Sequence, residues 1–190
     1  MPRPAELVVS YRKIIMYYRI IDNDIKVCLS VPSFSEDLFD LTNRNRKHLK
    51  EWLPWLDTIM RPEDTKAFIE LQLQRFSRQE AIHQTIFYKT EIAGVLGFNK
   101  IDNTNKIGHL GYWLGKDFTG NGIMTKCVKD LIELGFEEVE LQRIDIRCAV
   151  GNMKSRAIPE RLSFENEGII KRAEKVYNKY NDHVIYGLIK

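Results

Sequence analysis

The chain has 190 residues, enough for one domain with a substantial core, and its 44% hydrophobic and 29% charged residues argue against disorder. The formal net charge is only +3, with basic and acidic residues interleaved, so a nucleic-acid-binding face is not indicated. No apolar run approaches the ~20 residues of a membrane span, and residues 1–10 lack the apolar core of a signal peptide. The sequence therefore predicts a cytoplasmic protein with no membrane contact and no direct nucleic-acid partner.

The three cysteines give a second exclusion. Cys28, Cys127 and Cys148 are odd in number and widely spaced, which suits neither a disulfide framework nor a zinc site. We expect buried, reduced thiols and no bound metal.

The first part of the chain predicts a β-hairpin followed by two helices. Strand-like runs at 14–21 and 25–31 flank an Asp-Asn-Asp turn signal. Ser33 and Glu36 have the spacing of a capping box, which predicts a helix that ends at Pro54. Its apolar pattern lapses at Asn43 to Lys47, so the helix is expected to be either broken there or amphipathic against a groove. Pro62 begins a second helical pattern that fades near residue 78.

Three more strands follow, at 84–89, 92–99 and 107–114. Short polar turns separate them, so they are expected to form an antiparallel meander.

A glycine loop and a helix come directly after the third of these strands. Gly120 and Gly122 are two residues apart, and apolar residues then recur at helical spacing, at Ile123, Met124, Cys127, Val128, Leu131 and Ile132. A strand, a glycine loop and a helix together direct backbone N–H groups toward a bound anion. Position 125 is Thr125, so the dinucleotide fingerprint with its third glycine is absent, as is a Walker sequence.

This loop resembles the pyrophosphate loop of the GNAT superfamily of acetyl-CoA-dependent N-acetyltransferases. That loop reads Gln/Arg-x-x-Gly-x-Gly/Ala, and the run Asp117-Phe-Thr-Gly-Asn-Gly122 matches it at both glycines. The preceding Gly-Tyr-Trp-Leu from Gly111 and the following Ile-Met-Thr are similar to the RimL-like branch, the ribosomal-protein N-acetyltransferases. An acidic first position, as at Asp117, is common in that branch.

The rest of the chain completes the order of elements that the resemblance implies. A strand at 143–150, a short helix at 155–162 that contains Pro159, and strands at 163–171 and 184–189 are predicted. The resemblance covers residues 14–190 and implies one α+β domain with the GNAT fold. Its sheet would be mostly antiparallel with about seven strands, with a βαβ acetyl-CoA site and about four helices. Residues 1–13 would be an N-terminal extension, whose order the sequence leaves open.

Asn152 and Ser155 stand three residues apart at the start of the short helix. From spacing alone, helix capping is the favoured role for both. The resemblance implies more: in RimL-like enzymes the Asn contacts the pantetheine arm of the cofactor, and the Ser is placed to protonate the departing thiolate.

Acetyl-CoA is the co-substrate that the resemblance implies, with no metal. The loop and the helix N-terminus would hold its pyrophosphate, and free backbone N–H groups around Trp113 and Leu114 would bind the carbonyl oxygen. The residues expected to bind it are Trp113, Leu114, Phe118, Thr119, Gly120, Asn121, Gly122, Ile123, Met124, Asn152 and Ser155.

His109 is the candidate general base, because it lies two residues before Gly111, where RimL-like enzymes often carry a Glu. An unperturbed histidine, with a pKa near ~6.5, can accept a proton at neutral pH, although a structural or solvent-facing His109 stays open. His48, His83 and His183 have no such placement. Tyr112 alternates with His109 and Trp113, so its side chain is expected on the opposite face of the sheet.

The acceptor predicted from this base is the N-terminal α-amine of a protein or peptide, with a ribosomal protein as the class that the resemblance implies. An α-amine has a pKa near ~7.7–8.0 and a lysine near ~10.4, so the α-amine loses its proton more easily. The rate is expected to rise between about pH 6 and 8.

Two alternatives stay open. One is a non-catalytic acyl-CoA-binding module, which would keep the glycines but need neither Ser155 nor His109. The other is an acetyltransferase for small amines, polyamines or aminoglycosides. The basic run at 43–48 argues against the polycationic substrates in this group. A homodimer is also left open.

Overall fold

The computed structural model describes residues 8–11 and 14–190, with side chains from residue 18 onward. The predicted N-terminal extension therefore lies outside the described residues, apart from β1 (Val8–Tyr11). This strand pairs antiparallel with β2 (Ile14–Tyr17). The prediction that residues 14–17 belong to the first hairpin of the main sheet was wrong, because their partner precedes them in the chain.

The predicted turn of that hairpin is confirmed. Strand β3 (Arg19–Ile20) pairs antiparallel with β4 (Ile25–Leu29). Asp22 Oδ1 accepts hydrogen bonds from the N–H groups of Asp24 and Ile25, both at 2.9 Å, which is the side-chain-to-backbone bonding that makes Asp a turn residue.

One large sheet organises the rest of the described chain. Its further strands are β5 (Ile82–Tyr88), β6 (Glu91–Asp102), β7 (Ile107–Leu114), β8 (Arg143–Ala149), β9 (Glu165–Val176) and β10 (Lys179–Ile189). The eight strands lie in the order β3-β4-β5-β6-β7-β8-β10-β9. Only β7 and β8 are parallel neighbours, and every other pair is antiparallel. The α+β class and the meander are confirmed, with one more strand in the sheet than predicted.

Five α-helices are described: α1 (Ser35–Arg44), α2 (Arg46–Leu49), α3 (Pro62–Ser77), α4 (Ile123–Glu137) and α5 (Met153–Arg161). The fifth arises because the helix predicted to reach Pro54 is interrupted at Asn45. The Asn45 amide donates to Leu41 O at 2.8 Å, and its Oδ1 accepts the backbone N–H of Lys116 at 2.8 Å. This break therefore ties the end of α1 to the start of the glycine loop.

The predicted capping box at Ser33 was wrong. Ser33 lies in a 3₁₀ turn (Pro32–Phe34), and its hydroxyl oxygen is buried without a hydrogen bond among the described residues. The predicted start of α3 at Pro62 is correct, and Asp64 accepts the backbone N–H groups of Met60 and Arg61 just before that helix.

The sheet is covered on both faces. Helix α4 buries the apolar residues that its periodicity predicted, apart from the half-buried Ile132, and α5 packs beside it through Ile158. Helices α1 and α3 cover the opposite face, with Leu38, Leu41 and Ile69 buried. Full burial of one such side chain stabilises the fold by about 1.5–3 kcal/mol.

The structure also bears on the cysteines and on membrane-spanning helices. The three cysteines are free and buried, as predicted. Of the helices in the described part of the chain, none has the length and apolarity to cross a membrane.

Candidate active site

The two parallel strands at the centre of the sheet, β7 and β8, separate halfway along their length. Pairing of β7 with β8 runs from Ile107 and Arg143 to Leu110 and Ile146, whereas the strands continue to Leu114 and Ala149. A cavity of about 670 Å³ occupies the gap and extends over the face covered by α1 and α3. Its lining includes His109, Tyr112, Trp113, Cys148, Asn152 and Ser155.

The gap leaves backbone groups of β7 available for a ligand. The Gly115 N–H donates to Ala93 O of β6, and neighbouring residues of a strand direct their N–H groups to opposite edges. By this alternation the Trp113 N–H faces β6, and the N–H groups of Tyr112 and Leu114 face the gap. Of the two donors expected for the carbonyl oxygen, the geometry thus favours Leu114, and it adds Tyr112.

The glycine loop has the shape that a bound pyrophosphate requires. Gly120 and Gly122 have φ of +88° and +72°, a left-handed conformation that favours glycine. A Cβ added at either position would meet no heavy atom within 4 Å, so there is open space over both. Gly122 is the N-cap of α4, whose first turn carries no acidic residue and no side-chain cap. The free N–H groups can therefore donate hydrogen bonds to a bound anion, and the helix dipole stabilises its negative charge.

Several loop residues can contribute only backbone groups. Ile123 and Met124 are buried in the core, and the ring of Phe118 packs edge-on against Tyr88, with centroids 6.2 Å apart. The Thr119 hydroxyl donates to Lys116 O at 2.8 Å. The side chain of Asn121 is exposed.

On the α5 side of the gap, Ser155 sits in a small polar cluster. Its Oγ lies 3.2 Å from Cys148 Sγ and 3.4 Å from the Tyr112 hydroxyl oxygen. The Tyr112 hydroxyl donates to the backbone carbonyl of Ser155 at 3.0 Å. As predicted, Tyr112 faces away from Trp113, yet this orientation brings it to the site.

Pro159 explains why that carbonyl is available. In a regular helix the N–H of residue 159 would donate to the carbonyl of Ser155, but proline has no N–H. The freed carbonyl accepts from Tyr112 instead. Burial raises the pKa of Tyr112 well above its usual value, and it also raises the pKa of the Cys148 thiol, so both groups stay neutral at pH 7.

Asn152 is a helix cap, as its spacing indicated. Its Oδ1 accepts the Ser155 N–H at 3.2 Å. The Asn152 side chain is half-buried and lines the cavity, so its amide N–H₂ is still placed to donate to a ligand.

His109 lies on the opposite face of β7 and lines the same cavity. Its Nδ1 is 3.6 Å from Asp145 Oδ2, and Arg143 Nε donates to the other oxygen of that carboxylate at 2.6 Å. Burial lowers the pKa of His109 below its usual value, and the positive charges of Arg147 and Lys100 lower it further, against the opposing effect of Asp145. His109 is therefore neutral at pH 7.

Two histidines that the sequence left without a role also line the cavity. His83 Nδ1 is 2.8 Å from Ser30 Oγ, and burial lowers the pKa of His83 to about 4. His183 Nε2 is 3.5 Å from Glu174 Oε2. Strand pairing brings these residues to the gap from distant parts of the chain, and their local sequence carries no signal of it.

Aromatic side chains form the outer wall of the cavity. Trp55 faces Trp113 with ring centroids 6.4 Å apart, and Trp52 lines the cavity nearby. The Tyr177 hydroxyl, at the turn between β9 and β10, donates to Leu53 O at 3.3 Å. The hairpin therefore contacts the segment after α2 and closes one side of the cavity.

Comparison with known proteins assigns the fold and its chemistry. The family model described as an acetyltransferase (GNAT) domain matches residues 28–165, which include the glycine loop and Ser155. The chain belongs to the GNAT acetyltransferase family. It is an acetyl-CoA-dependent N-acetyltransferase, and the gap, the glycine loop and the helix N-terminus fit that co-substrate. The non-catalytic alternative is therefore set aside.

Three relatives are informative about this GNAT protein. The ribosomal-protein-serine acetyltransferase of Escherichia coli (strain K12) is 32% identical over 152 residues, covering 80% of this chain and 85% of that protein. A structure of RimL, a ribosomal L7/L12 alpha-N-protein acetyltransferase, with coenzyme A bound through a cysteine disulfide, is 30% identical with a TM-score of 0.88, covering 90% and 97%. The microcin C7 self immunity acetyltransferase MccE, in complex with acetyl-CoA and AMP, is 31% identical with a TM-score of 0.85, covering 90% and 94%.

Proposed function

We propose that this GNAT enzyme acetylates the N-terminal α-amine of a protein or peptide, with ribosomal proteins as the first substrates to test. The observation that carries the proposal is His109, a neutral imidazole in the cavity beside the gap between β7 and β8. The similarity to ribosomal-protein acetyltransferases at about 30% identity supports the same class of acceptor.

The matching of base to amine favours an α-amine over a lysine. The two amines differ by roughly 2.5 pKa units, which is about 3 kcal/mol for removal of the proton. The lowered pKa of His109 makes it a weak base, able to receive a proton from an α-ammonium group far more readily than from a lysine. Asp145 would orient the ring and stabilise its protonated form.

Ser155 is the proposed proton donor to the leaving thiolate. Bound acetyl-CoA supplies the thioester, and its thiol has an ordinary pKa near ~8.5, so a hydroxyl in a hydrogen-bonded chain is sufficient. The Tyr112 hydroxyl holds the Ser155 carbonyl and is also within reach of Ser155 Oγ. We therefore assign Tyr112 as the positioning residue of Ser155, with Asn152 donating to the pantetheine arm.

Direct attack of the amine in a ternary complex is favoured over an acetylated enzyme. The nearest nucleophile, Cys148, has its pKa raised by burial, and a neutral thiol is a poor nucleophile. The backbone N–H groups of Leu114 and Tyr112 are the proposed donors to the oxyanion, since they face the gap.

The test is acetylation of peptides and purified ribosomal proteins, measured by thiol release and located by mass spectrometry. We expect modification of N-termini and not of lysine side chains.

His109→Gln should lower kcat by at least about tenfold. Because the pKa of His109 lies below 6.5, protonation of His109 should lower the rate only below that pH. The rise in rate between pH 6 and 8 should then come from deprotonation of the substrate amine.

Glu174 is the competing base, because its carboxylate lines the same cavity beside His183. Glu174→Gln is therefore the matched variant. If that variant loses the acid limb of the pH profile and His109→Gln keeps it, the base is Glu174. Faster acetylation of lysine side chains than of N-termini would contradict the proposed acceptor.

A second candidate function is acetylation of a small amine that carries a planar ring. Trp52, Trp55 and Trp113 give the cavity flat apolar walls that suit such a ring, and MccE, a relative of similar identity, is described with AMP. The basic run at 43–48 is weaker evidence against polycations than its charge indicates, because one of its residues has a structural role. Arg46 donates there to Leu56 O and Ile59 O, and so holds a turn together. Thiol release with aminoacyl nucleotides but not with peptides would support this candidate.

A further inference from the structure

The charged side chains of the acceptor cavity are unequally paired. Two carboxylates line it, and each has a contact among the described residues. Asp145 accepts from Arg143 at 2.6 Å, although Arg143 also binds Glu167, and Glu174 lies 3.5 Å from the ring of His183. Arg147 also lines the cavity, and its guanidinium makes no ion pair or hydrogen bond with any residue that the structure describes. Arg147 is therefore the lining side chain whose charged group is free to bind a ligand.

The position of Arg147 places this charge near the reacting groups. Arg147 is the first residue of β8 after Ile146, where pairing with β7 ends, so it stands at the opening of the gap. Side chains alternate along a strand, so Arg147 projects to the same face as Asp145, and hence toward His109. The charge of Arg147 contributes to the lowered pKa of His109, which agrees with this proximity.

An exposed guanidinium at the edge of an apolar wall is suited to one kind of ligand. Its planar fork of N–H donors matches the two oxygens of a carboxylate, and such charge-assisted bonds are about twice as strong as neutral ones. Trp113, which by the same alternation lies on the face of β7 that carries His109, gives this part of the cavity an apolar wall. A cationic acceptor would meet repulsion at the same place.

We propose that Arg147 is an anion-binding subsite of the acceptor pocket, and that the enzyme prefers peptides with an acidic side chain next to the reacting N-terminus. This rests on the proposed function, in which a peptide α-amine is the acceptor. Because Arg147 stands at the opening of the gap, only the first residues of such a peptide can reach it. Arg147 is accordingly a residue that determines specificity, and it takes no part in proton transfer.

The experiment compares two peptides that differ by one exchange, Glu or Gln at the second residue. The wild-type enzyme should use the Glu peptide about tenfold better in kcat/KM, mainly through a lower KM. Arg147→Gln should abolish the preference, Arg147→Lys should keep part of it, and Arg147→Glu should favour a peptide with Lys at that position. Arg78→Gln removes an exposed charge outside the cavity and should leave the preference intact.

The outcomes separate this inference from the function on which it rests. Turnover of both peptides at equal rates by the wild type, or an undiminished preference in Arg147→Gln, would overturn the subsite and leave the acetylation of N-termini standing. No thiol release with any peptide would overturn the proposed function and the subsite with it. Arg147 is exposed, so its variants should fold, and unchanged acetyl-CoA affinity in each variant verifies that they do.

Discussion

The two sides of the gap between β7 and β8 are built in different ways. The cofactor side comes mostly from one continuous stretch, in which β7, the glycine loop and α4 follow one another. The acceptor side is assembled from β5, β7, β8, β9, β10 and the segment after α2. A continuous stretch of backbone therefore presents the N–H groups for the cofactor, whereas strand pairing and the packing of segments against the sheet bring together the side chains that face the acceptor.

This difference has a consequence for how each side responds to change. The cofactor loop depends on backbone conformation at two glycines with positive φ. The acceptor side depends on buried and half-buried polar groups, such as His83 with Ser30 and His109 with Asp145. Substitutions on the first side should alter cofactor affinity, and pH should act through the second.

The largest expected effect is the pH dependence of stability that His83 confers. The pKa of His83 is about 4 in the folded protein and near ~6.5 when unfolded, so the unfolded chain binds the extra proton between these values. The free energy of unfolding should therefore fall by about 3 kcal/mol as pH is lowered from 6.5 to 4. Carboxylates whose pKa is lowered, such as Asp102, act only below about pH 4.

The measurement is denaturant unfolding at several pH values for wild type and His83→Gln. The variant should lose most of the decline between pH 6.5 and 4. His48→Gln, at a half-exposed histidine, is the matched control and should lose much less. Equal declines in wild type and His83→Gln would mean that the pH dependence arises elsewhere.

Next in size is the effect of Ser155→Ala on turnover. Loss of the proton donor should lower kcat about hundredfold with a smaller change in the KM for acetyl-CoA, since the proton is required only as the bond breaks. Tyr112→Phe removes the hydroxyl that holds the Ser155 carbonyl and should lower kcat by a smaller factor. Steady-state kinetics with acetyl-CoA varied gives both constants.

Pro159→Ala tests the positioning by Tyr112 from the other direction. An alanine restores the N–H that competes for the Ser155 carbonyl, so kcat should fall although the helix gains a hydrogen bond. In a protein that already carries Tyr112→Phe, Pro159→Ala should lower kcat little further. Additive losses in the double variant would count against the shared carbonyl.

Gly122→Val should weaken acetyl-CoA binding by at least about tenfold, measured by calorimetry, because a β-branched side chain resists a φ of +72° and would occupy the space over the loop. Gly168→Val is the matched control, since Gly168 has a φ of +119° on β9, away from the loop. It should cost stability without changing affinity. Equal affinity in wild type and Gly122→Val would refute the loop assignment.

The smallest effect is expected from Asn152→Ala. Loss of the cap should lower the free energy of unfolding by about 1 kcal/mol. If the Asn152 amide also donates to the pantetheine arm, the KM for acetyl-CoA should rise severalfold while kcat changes little. A stability change with no change in KM would reduce Asn152 to a cap.

The sequence alone determined the elements that depend on local periodicity and backbone freedom. The buried face of α4, the glycine loop at Gly120 and Gly122 and the turn at Asp22 all follow from residues close in the chain. The glycine loop and the runs that flank it also carried the resemblance to the GNAT family, because a pyrophosphate loop is a local motif.

Tertiary structure decided what depends on partners far apart in the chain. The lapse of the helical pattern at 43–47 indicated a break after α1, but the hydrogen bond from the Lys116 N–H to Asn45 Oδ1 joins residues far apart in the chain, and no local pattern encodes it. Ser33, which has the spacing of a cap, lies in a 3₁₀ turn instead. Local spacing fixes which conformations are permitted, and the packing of the whole chain then selects among them.

The acceptor side shows most clearly that local sequence patterns do not determine which residues meet. Tyr112 and Ser155 meet only because β7 and α5 are packed together, and Pro159 has its effect only through that contact. His83 and His183 reach the cavity through the pairing of distant strands. The sequence supplies these polar side chains, and the sheet order decides which of them face one another, because hydrogen bonds and ion pairs act only over a few ångströms.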